Sequence, residues 1–94
     1  MSVYLVTWDL NKQKTNYAQA RQNLIDHLTK YDHKKDPGLD SVWFISSTAS
    51  ADGISAEIQK HLDNNDRVIV TKLVSGNHQG WLSKDVWDWI NARI

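Results

Sequence analysis

The sequence predicts a single α/β domain in which amphipathic helices pack against one sheet. Three observations support this fold class. The chain has 94 residues, which is the size of one domain. Apolar residues make up 40% of it, enough for an ordinary core. Strand-like and helix-like segments alternate along the chain, and such alternation is typical of helices packed on a sheet.

The first two elements are a strand over residues 3–8 and a helix over residues 17–31. The strand segment is rich in β-branched and aromatic residues on both faces, as in a strand covered on both sides or buried in a dimer. Asp9 closes the strand, and Thr15 or Asn16 can cap the helix. The apolar residues of the helix recur at spacings of three and four: Tyr17, Ala20, Leu24, Leu28 and Tyr31.

A second strand and a second helix follow. Turn residues at 36–38 lead into a strand over residues 41–46. Residues 46–48 either continue that strand with a bend or turn back as a short extra strand. Ser50 is a suitable cap for the second helix, whose apolar stripe comprises Ala51, Ile54, Ile58 and Leu62.

The last part of the chain predicts a strand over residues 67–74, a polar loop bracketed by Gly76 and Gly80, and a final helix capped by Ser83. The apolar residues of that helix are Val86, Trp87, Trp89, Ile90 and Ile94. If residues 46–48 supply a fourth strand, the chain forms the β-α-β-β-α-β sheet of a ferredoxin-like fold. We prefer this α+β arrangement because three strands make a small sheet to stand alone.

The predicted domain spans residues 1–94, with a core of residues 1–74 and a C-terminal loop and Trp-rich helix over residues 75–94. The absence of cysteine excludes disulfides and thiolate metal sites and suits a reducing compartment. The first residues show no secretion signal, and no apolar run approaches the roughly 20 residues that span a bilayer. These observations predict a cytoplasmic protein that does not enter the membrane.

Composition and motifs narrow the possible functions. Formal net charge is zero, with 11 basic and 11 acidic residues, whereas proteins that clamp nucleic acid are usually basic. A local basic patch stays open, since four lysines fall in or beside predicted loops: Lys12, Lys14, Lys34 and Lys35. Ordinary solvated lysines are the favoured explanation. The sequence has no nucleophile elbow, no Gly-rich phosphate loop and no histidine pair at helical zinc spacing.

Three segments together resemble a known family. Residues 6–10, Val-Thr-Trp-Asp-Leu, resemble the apolar-aromatic-Asp end of the first strand in the small CRISPR-associated adaptation nucleases (the second Cas protein). Residues 41–44 are similar to the Ser-Val-aromatic segment of those proteins and of the VapD-like toxin ribonucleases. Residues 66–70 occur where the last core strand of that family is expected. The resemblance covers residues 1–74.

The resemblance implies a ferredoxin-like homodimer that cleaves RNA or DNA with the help of a divalent metal. The catalytic and metal-binding role falls on Asp9, which would face its counterpart across the two-fold axis. A hard carboxylate oxygen suits Mg²⁺, with Mn²⁺ as a substitute, and a cation would relieve the repulsion between two aspartates. Residue type and position alone leave a second reading open, in which Asp9 caps the following turn.

Further candidates divide between two functions. Lys12, Lys14, Arg21 and His78 are the predicted nucleic-acid contacts. Trp8 and Trp89 are the predicted interface residues, Trp89 because it points about 200° away from Trp87 on a helix.

Two departures from the family favour an alternative. Arg21 is the only arginine before residue 67, and a Gly-bracketed loop with a Trp-rich helix replaces the family's short final strand. The alternative is a non-catalytic interaction module with the same fold, which binds a protein or nucleic acid through the terminal helix and the loop at His78.

Overall fold

The computed structural model describes residues 1–94 and contains four strands and three helices. The strands are β1 (Ser2–Asp9), β2 (Asp32–Lys34), β3 (Val42–Ser47) and β4 (Arg67–Lys72). The helices are α1 (Tyr17–Leu28), α2 (Ala51–Gln59) and α3 (Lys84–Arg93). The strand order is β2-β3-β1-β4, and all neighbouring strands are antiparallel. The predicted ferredoxin-like α+β fold with an added C-terminal helix is therefore confirmed.

The fourth strand is β2, and the preferred prediction that residues 46–48 turn back to form it is wrong. Ser46 and Ser47 instead complete β3, and a bend follows, as the other reading of that segment had it. β2 pairs with β3 along Asp32 to Lys34. Its three polar residues carry no strand propensity of their own, so this strand exists because β3 lies beside it. α1 correspondingly ends at Leu28, and the chain turns before β2.

The three helices begin after the predicted cap residues, but only one of these residues makes a capping hydrogen bond. Ser50 precedes α2, and its hydroxyl oxygen accepts the backbone N–H of Gly53 at 3.1 Å, which confirms this cap. Asn16 and Ser83 precede α1 and α3, but neither side chain makes a capping hydrogen bond. None of the three helices has the length and apolar character needed to cross a membrane.

One face of the sheet is covered by α1 and α2. Successive side chains of a strand point to opposite faces, so Tyr4, Val6 and Trp8 lie together on this side. The buried residues here form the larger core cluster: Tyr4, Val6, Trp8, Leu10, Leu24, Leu28, Trp43, Ile45, Ile54 and Ile58. This cluster accounts for the apolar stripes of the first two helices.

The opposite face of the sheet is covered at one end only. There α3 packs on a second cluster formed by Val3, Phe44, Leu73, Val86 and Ile90. At the other end β1 presents Thr7 and Asp9, which pair with Ile69 and Arg67 of β4. Val42 of β3 pairs with Thr7 and lies at the boundary, partly buried against the second cluster. We call the surface of these five residues the open half-face. Ile69, near its centre, is 59% exposed.

Polar contacts with the β2 segment fix the position of α3. Arg93 Nε donates to Asp32 Oδ2 at 2.8 Å, and Lys34 Nζ lies 2.9 Å from Asp85 Oδ2. The backbone N–H of Ser83 donates to the buried carboxylate of Asp36 at 2.8 Å. Residues 32, 34 and 36 alternate along an extended chain, so one side of this segment meets α3. These contacts hold α3 away from the open half-face.

Candidate functional site

Asp9 ends β1 on the open half-face. Its side chain is exposed, and neither a hydrogen bond nor an ion pair engages its carboxylate. The turn that follows is held instead by Asp66, whose Oδ1 accepts the backbone N–H of Asn11 at 2.8 Å. Asp9 therefore does not serve as the cap of that turn, and its carboxylate is free to meet a ligand.

A shallow groove of about 450 Å³ runs past Asp9. Its lining comes from the ends of β1 and β4 and from the residue before β3: Thr7, Trp8, Asp9, Ser41, Arg67, Val68 and Ile69. Asp9 and Arg67 are direct cross-strand neighbours, so their Cβ atoms lie about 5 Å apart on the same face. The groove thus holds one carboxylate and one guanidinium, with two hydroxyl side chains beside them.

Arg67 is anchored by one of its terminal nitrogens. Its Nη1 donates to the carbonyl oxygens of Asn64 at 3.1 Å and Asp66 at 2.8 Å. No ion pair joins the guanidinium to Asp9, and the donors at Nε and Nη2 have no partner within the chain. The side chain is therefore oriented by the preceding turn and keeps hydrogen-bonding capacity for a ligand.

One chain supplies a single carboxylate to this groove. No group of three or more His, Cys, Asp or Glu side chains in the protein could hold a metal ion. Mg²⁺ binds through one or two carboxylates and keeps several waters, and it often takes phosphate oxygens as further ligands. Asp9 can hold such an ion if a second copy or the substrate supplies the remaining ligands. Its carboxylate must also stay free of other partners, and in the structure it is free.

The loop after Asp9 is fixed by a buried carboxylate that sequence reasoning missed. The side chain of Asp66 is fully buried and accepts bonds from Lys14 Nζ at 2.7 Å and from the backbone N–H of Asp63 at 3.0 Å. Burial raises the pKa of Asp66, but the hydrogen bonds from Lys14, Asn11 and Asp63 together outweigh it and lower that pKa. The same contact raises the pKa of Lys14, first through its hydrogen bond with Asp66.

The four predicted nucleic-acid contacts lie in three separate places. Lys12 is exposed on the loop after β1, and Lys14 on the same loop is engaged by Asp66 and Asp63. Arg21 lies on α1, its guanidinium carbon 5.9 Å from the ring centre of Trp8 on the helix-covered side.

His78, the fourth of these candidates, lies on the loop before α3. Its ring nitrogen Nδ1 is 2.9 Å from the carbonyl oxygen of Val74, and its ring stacks on Trp87 at 6.0 Å between centres. The structure does not bring the four side chains together, and their contact with nucleic acid stays a prediction.

The two predicted interface tryptophans are largely used within the chain. Trp8 is buried in the larger core cluster, where its indole Nε1 has no hydrogen-bond partner. Trp89 is half-buried against the second cluster, and the guanidinium of Arg93 stacks on its ring at 4.3 Å. Their roles at an interface stay predictions. The indole left free is that of Trp81, which is 99% exposed.

Trp81 borders a second groove of about 310 Å³ between the loop before α3 and the sheet. Its lining is mainly apolar and includes Leu5, Leu39, Leu73, Leu82 and Trp87, with His78 at the rim. Leu5 lies four residues before Asp9 on the same face, so the two grooves are about 13 Å apart along β1. The alternative function predicted from the sequence names the loop at His78 and the terminal helix, which both line this groove, but the apolar residues from the sheet depend on how the loop folds back.

Comparison with known proteins adds no relative to this description. No family model matches the chain, and a search of curated proteins found no match. The part of the family resemblance that the structure supports is the fold. The protein is a ferredoxin-like α+β domain with a free aspartate and an anchored arginine in a groove on the open half-face of its sheet.

Proposed function

We propose that this protein is a homodimeric, metal-dependent phosphodiesterase that cleaves RNA or DNA. The observation that carries the proposal is the state of Asp9, an exposed carboxylate with no partner in the chain, at the end of a central strand. Charged side chains that neither pair nor cap, on an uncovered sheet face, are available for binding or catalysis. The resemblance of residues 1–74 adds the expectation of a two-fold dimer with Asp9 at its axis.

The apolar residues of the open half-face support a second copy as their cover. Ile69 is apolar and largely exposed in the single chain, whereas its apolar neighbour Val42 is already partly buried against the second cluster. A two-fold interface places the same patch of both subunits against each other. A dimer axis near the end of β1 would bring the two Asp9 carboxylates together, and it would bury Ile69 from both subunits.

The chemistry assigned to the site is hydrolysis of a phosphodiester. The oxygen of a water molecule bonds to phosphorus, one ester P–O bond breaks, and the leaving oxygen takes a proton. Mg²⁺, when bound, would neutralise charge on the phosphate and make water a better nucleophile. The two Asp9 carboxylates would hold that ion between the subunits, and Thr7 and Ser41 offer hydroxyl groups to the substrate or to ordered water.

The test is cleavage of labelled RNA and double-stranded DNA by the purified protein with Mg²⁺ or Mn²⁺, and with a chelator. We expect Asp9→Asn to reduce cleavage by about a hundredfold or more, the usual loss when a charge acting on the transition state is removed. Asp52→Asn is the matched control, because Asp52 is an exposed aspartate on α2, across the sheet from the groove. Equal cleavage by wild type and Asp9→Asn would contradict the proposal.

A second candidate function follows from the groove at Trp81. A fully exposed indole beside an apolar groove is typical of a binding surface, which favours a non-catalytic interaction module. If the folded protein binds RNA or a protein partner without cleavage, and Trp81→Ala abolishes that binding while Asp9→Asn leaves it intact, the module is the function.

A further inference from the structure

The groove beside Asp9 poses an electrostatic problem for the proposed substrate. A phosphodiester carries a negative charge and is repelled by a free carboxylate at short range. A bound cation relieves part of this repulsion, but the first approach of the substrate needs positive charge on the protein as well. Among the residues that line the groove, Arg67 is the only cation.

We propose that Arg67 binds the phosphate of the substrate and positions it beside Asp9. The inference rests on the proposed function and adds to it a residue that the family resemblance does not supply. Its basis is a juxtaposition: an anchored guanidinium with free donors lies directly across the strand pair from an unpaired carboxylate, in one open groove.

The geometry argues against a merely structural role for the whole side chain. Arg67 forms no ion pair with Asp9, its cross-strand neighbour, so its guanidinium is not used to neutralise that carboxylate. Nη1 alone serves the structure, through the carbonyl oxygens of Asn64 and Asp66. Because the guanidinium is rigid and planar, anchoring Nη1 fixes the direction of Nε and Nη2, the edge that can bind two phosphate oxygens.

None of the other cations lines this groove, although Lys12 is exposed on the loop that follows β1. Lys14 is held by Asp66 and Asp63, and Arg21 lies over Trp8 on the helix-covered side. Lys72 lies on β4 like Arg67, but it pairs with Tyr4 and therefore points to the opposite face of the sheet. Arg67 is thus the one cation that lines the groove, and it lies where a phosphate next to Asp9 would bind.

The substrate class follows from this mode of contact. Contacts to phosphate position a nucleic acid but carry no sequence information. The groove is shallow and offers short hydroxyl side chains rather than a deep pocket for a base. The recognised group is therefore the sugar–phosphate backbone, and binding at Arg67 should be equally strong for strands of different sequence.

The experiment measures binding separately from cleavage. In the Asp9→Asn background, which the proposed function makes inactive, fluorescence anisotropy would follow binding of a labelled single-stranded RNA of mixed sequence at several salt concentrations. Added Arg67→Gln should weaken binding about tenfold, the usual loss of a charge-assisted hydrogen bond. It should also reduce the steepness of the plot of the logarithm of the association constant against the logarithm of the salt concentration. The reduction should be about 0.7 for each phosphate that the variant no longer neutralises.

Two further variants separate this role from folding and from general charge. Arg67→Lys keeps the charge but lacks the planar fork, so it should restore the salt slope and only part of the affinity. Lys72→Gln removes the same charge from the same strand on the other face, and it should leave both quantities unchanged. Thermal unfolding of each variant establishes that it is folded.

The outcomes keep the two proposals distinct. If wild type cleaves but Arg67→Gln binds and cleaves as wild type does, the inference about Arg67 is overturned and the nuclease stands. If nothing cleaves while Arg67→Gln still loses affinity and salt slope, the phosphate site stands and the nuclease falls. Equal losses in Lys72→Gln and Arg67→Gln would show a general charge effect and overturn the inference.

Discussion

Asp66 accepts hydrogen bonds from Lys14 and from the backbone amides of Asn11 and Asp63, and its side chain is fully buried. Asp9 lies on the other side of the same loop with no partner. The sequence pattern singles out Asp9, because it ends an apolar strand. It gives no such signal for Asp66, since the partners Asn11 and Lys14 are more than fifty residues away in the chain. Burial of this kind is created by the fold and is not visible in a local pattern.

The first prediction at this scale concerns the stability of the Asp66 contact. Asp66→Ala leaves the amide of Asn11 and the ammonium of Lys14 without their acceptor in a mostly buried place. We expect a loss of about 2 kcal/mol in the free energy of unfolding, measured with urea. Asp63→Asn should cost less than about 1 kcal/mol, because the Asp63 carboxylate is half-exposed. Equal losses in the two variants would contradict a special role for Asp66.

At the scale of the elements, hydrophobic periodicity was sufficient for α1, α2, α3 and the three longer strands. These elements are specified by their own apolar residues, which fill the two core clusters. β2 was misplaced because its three polar residues form a strand only through pairing with β3. The sequence also did not predict that α3 covers half of one sheet face. This cover depends on contacts such as Ser83 to Asp36, which join separate loops.

The contact between α1 and the turn after α2 contains two histidines. The rings of His27 and His61 lie 4.9 Å apart, and Tyr31 packs edge-on against His27. Burial is the main cause that lowers the pKa of His27, followed by the charge of His61 and of Lys30, with Glu57 acting in the opposite sense. The folded protein therefore binds a proton at His27 less readily than the unfolded chain does.

This asymmetry predicts a loss of stability in weak acid. The folded-state pKa of His27 lies below the unfolded value of about 6.5. Its contribution to the free energy of unfolding is therefore complete above a pH of about 6.5. The contribution is then lost as the pH falls through the folded-state pKa. Urea unfolding at several values between about pH 7.5 and 5 should show the fall, and His27→Gln should reduce it. The same substitution at His78, outside this contact, should retain the fall, and a fall unchanged in His27→Gln would refute the assignment.

The whole molecule leaves one half of one sheet face without cover, and the prediction at this scale is its oligomeric state. One chain has a mass of 10.8 kDa, and we expect sedimentation of the wild type to give twice that value. Ile69→Glu places a charge in the centre of the open half-face and should yield a folded monomer, with cleavage lost because the two Asp9 residues separate.

The matched variant for this prediction is Val74→Glu. Val74 is also an exposed apolar residue, but it lies beyond the end of β4 and outside the open half-face. It should stay dimeric. A wild-type monomer, or a dimer that survives Ile69→Glu, would contradict the proposed assembly through this face.

The unequal exposure of the tryptophans has a consequence for spectroscopy. Of the five indoles, Trp8 and Trp43 are buried, Trp87 and Trp89 are half-buried, and Trp81 is almost fully exposed. A dissolved quencher such as iodide therefore reaches one fluorophore freely while the protein remains folded. Since Trp81 borders the second groove, its quenching reports whether that groove is occupied. The emission of the buried indoles, Trp8 and Trp43, reports whether the core is intact. Tryptophan fluorescence can therefore follow binding and unfolding separately, without an attached dye.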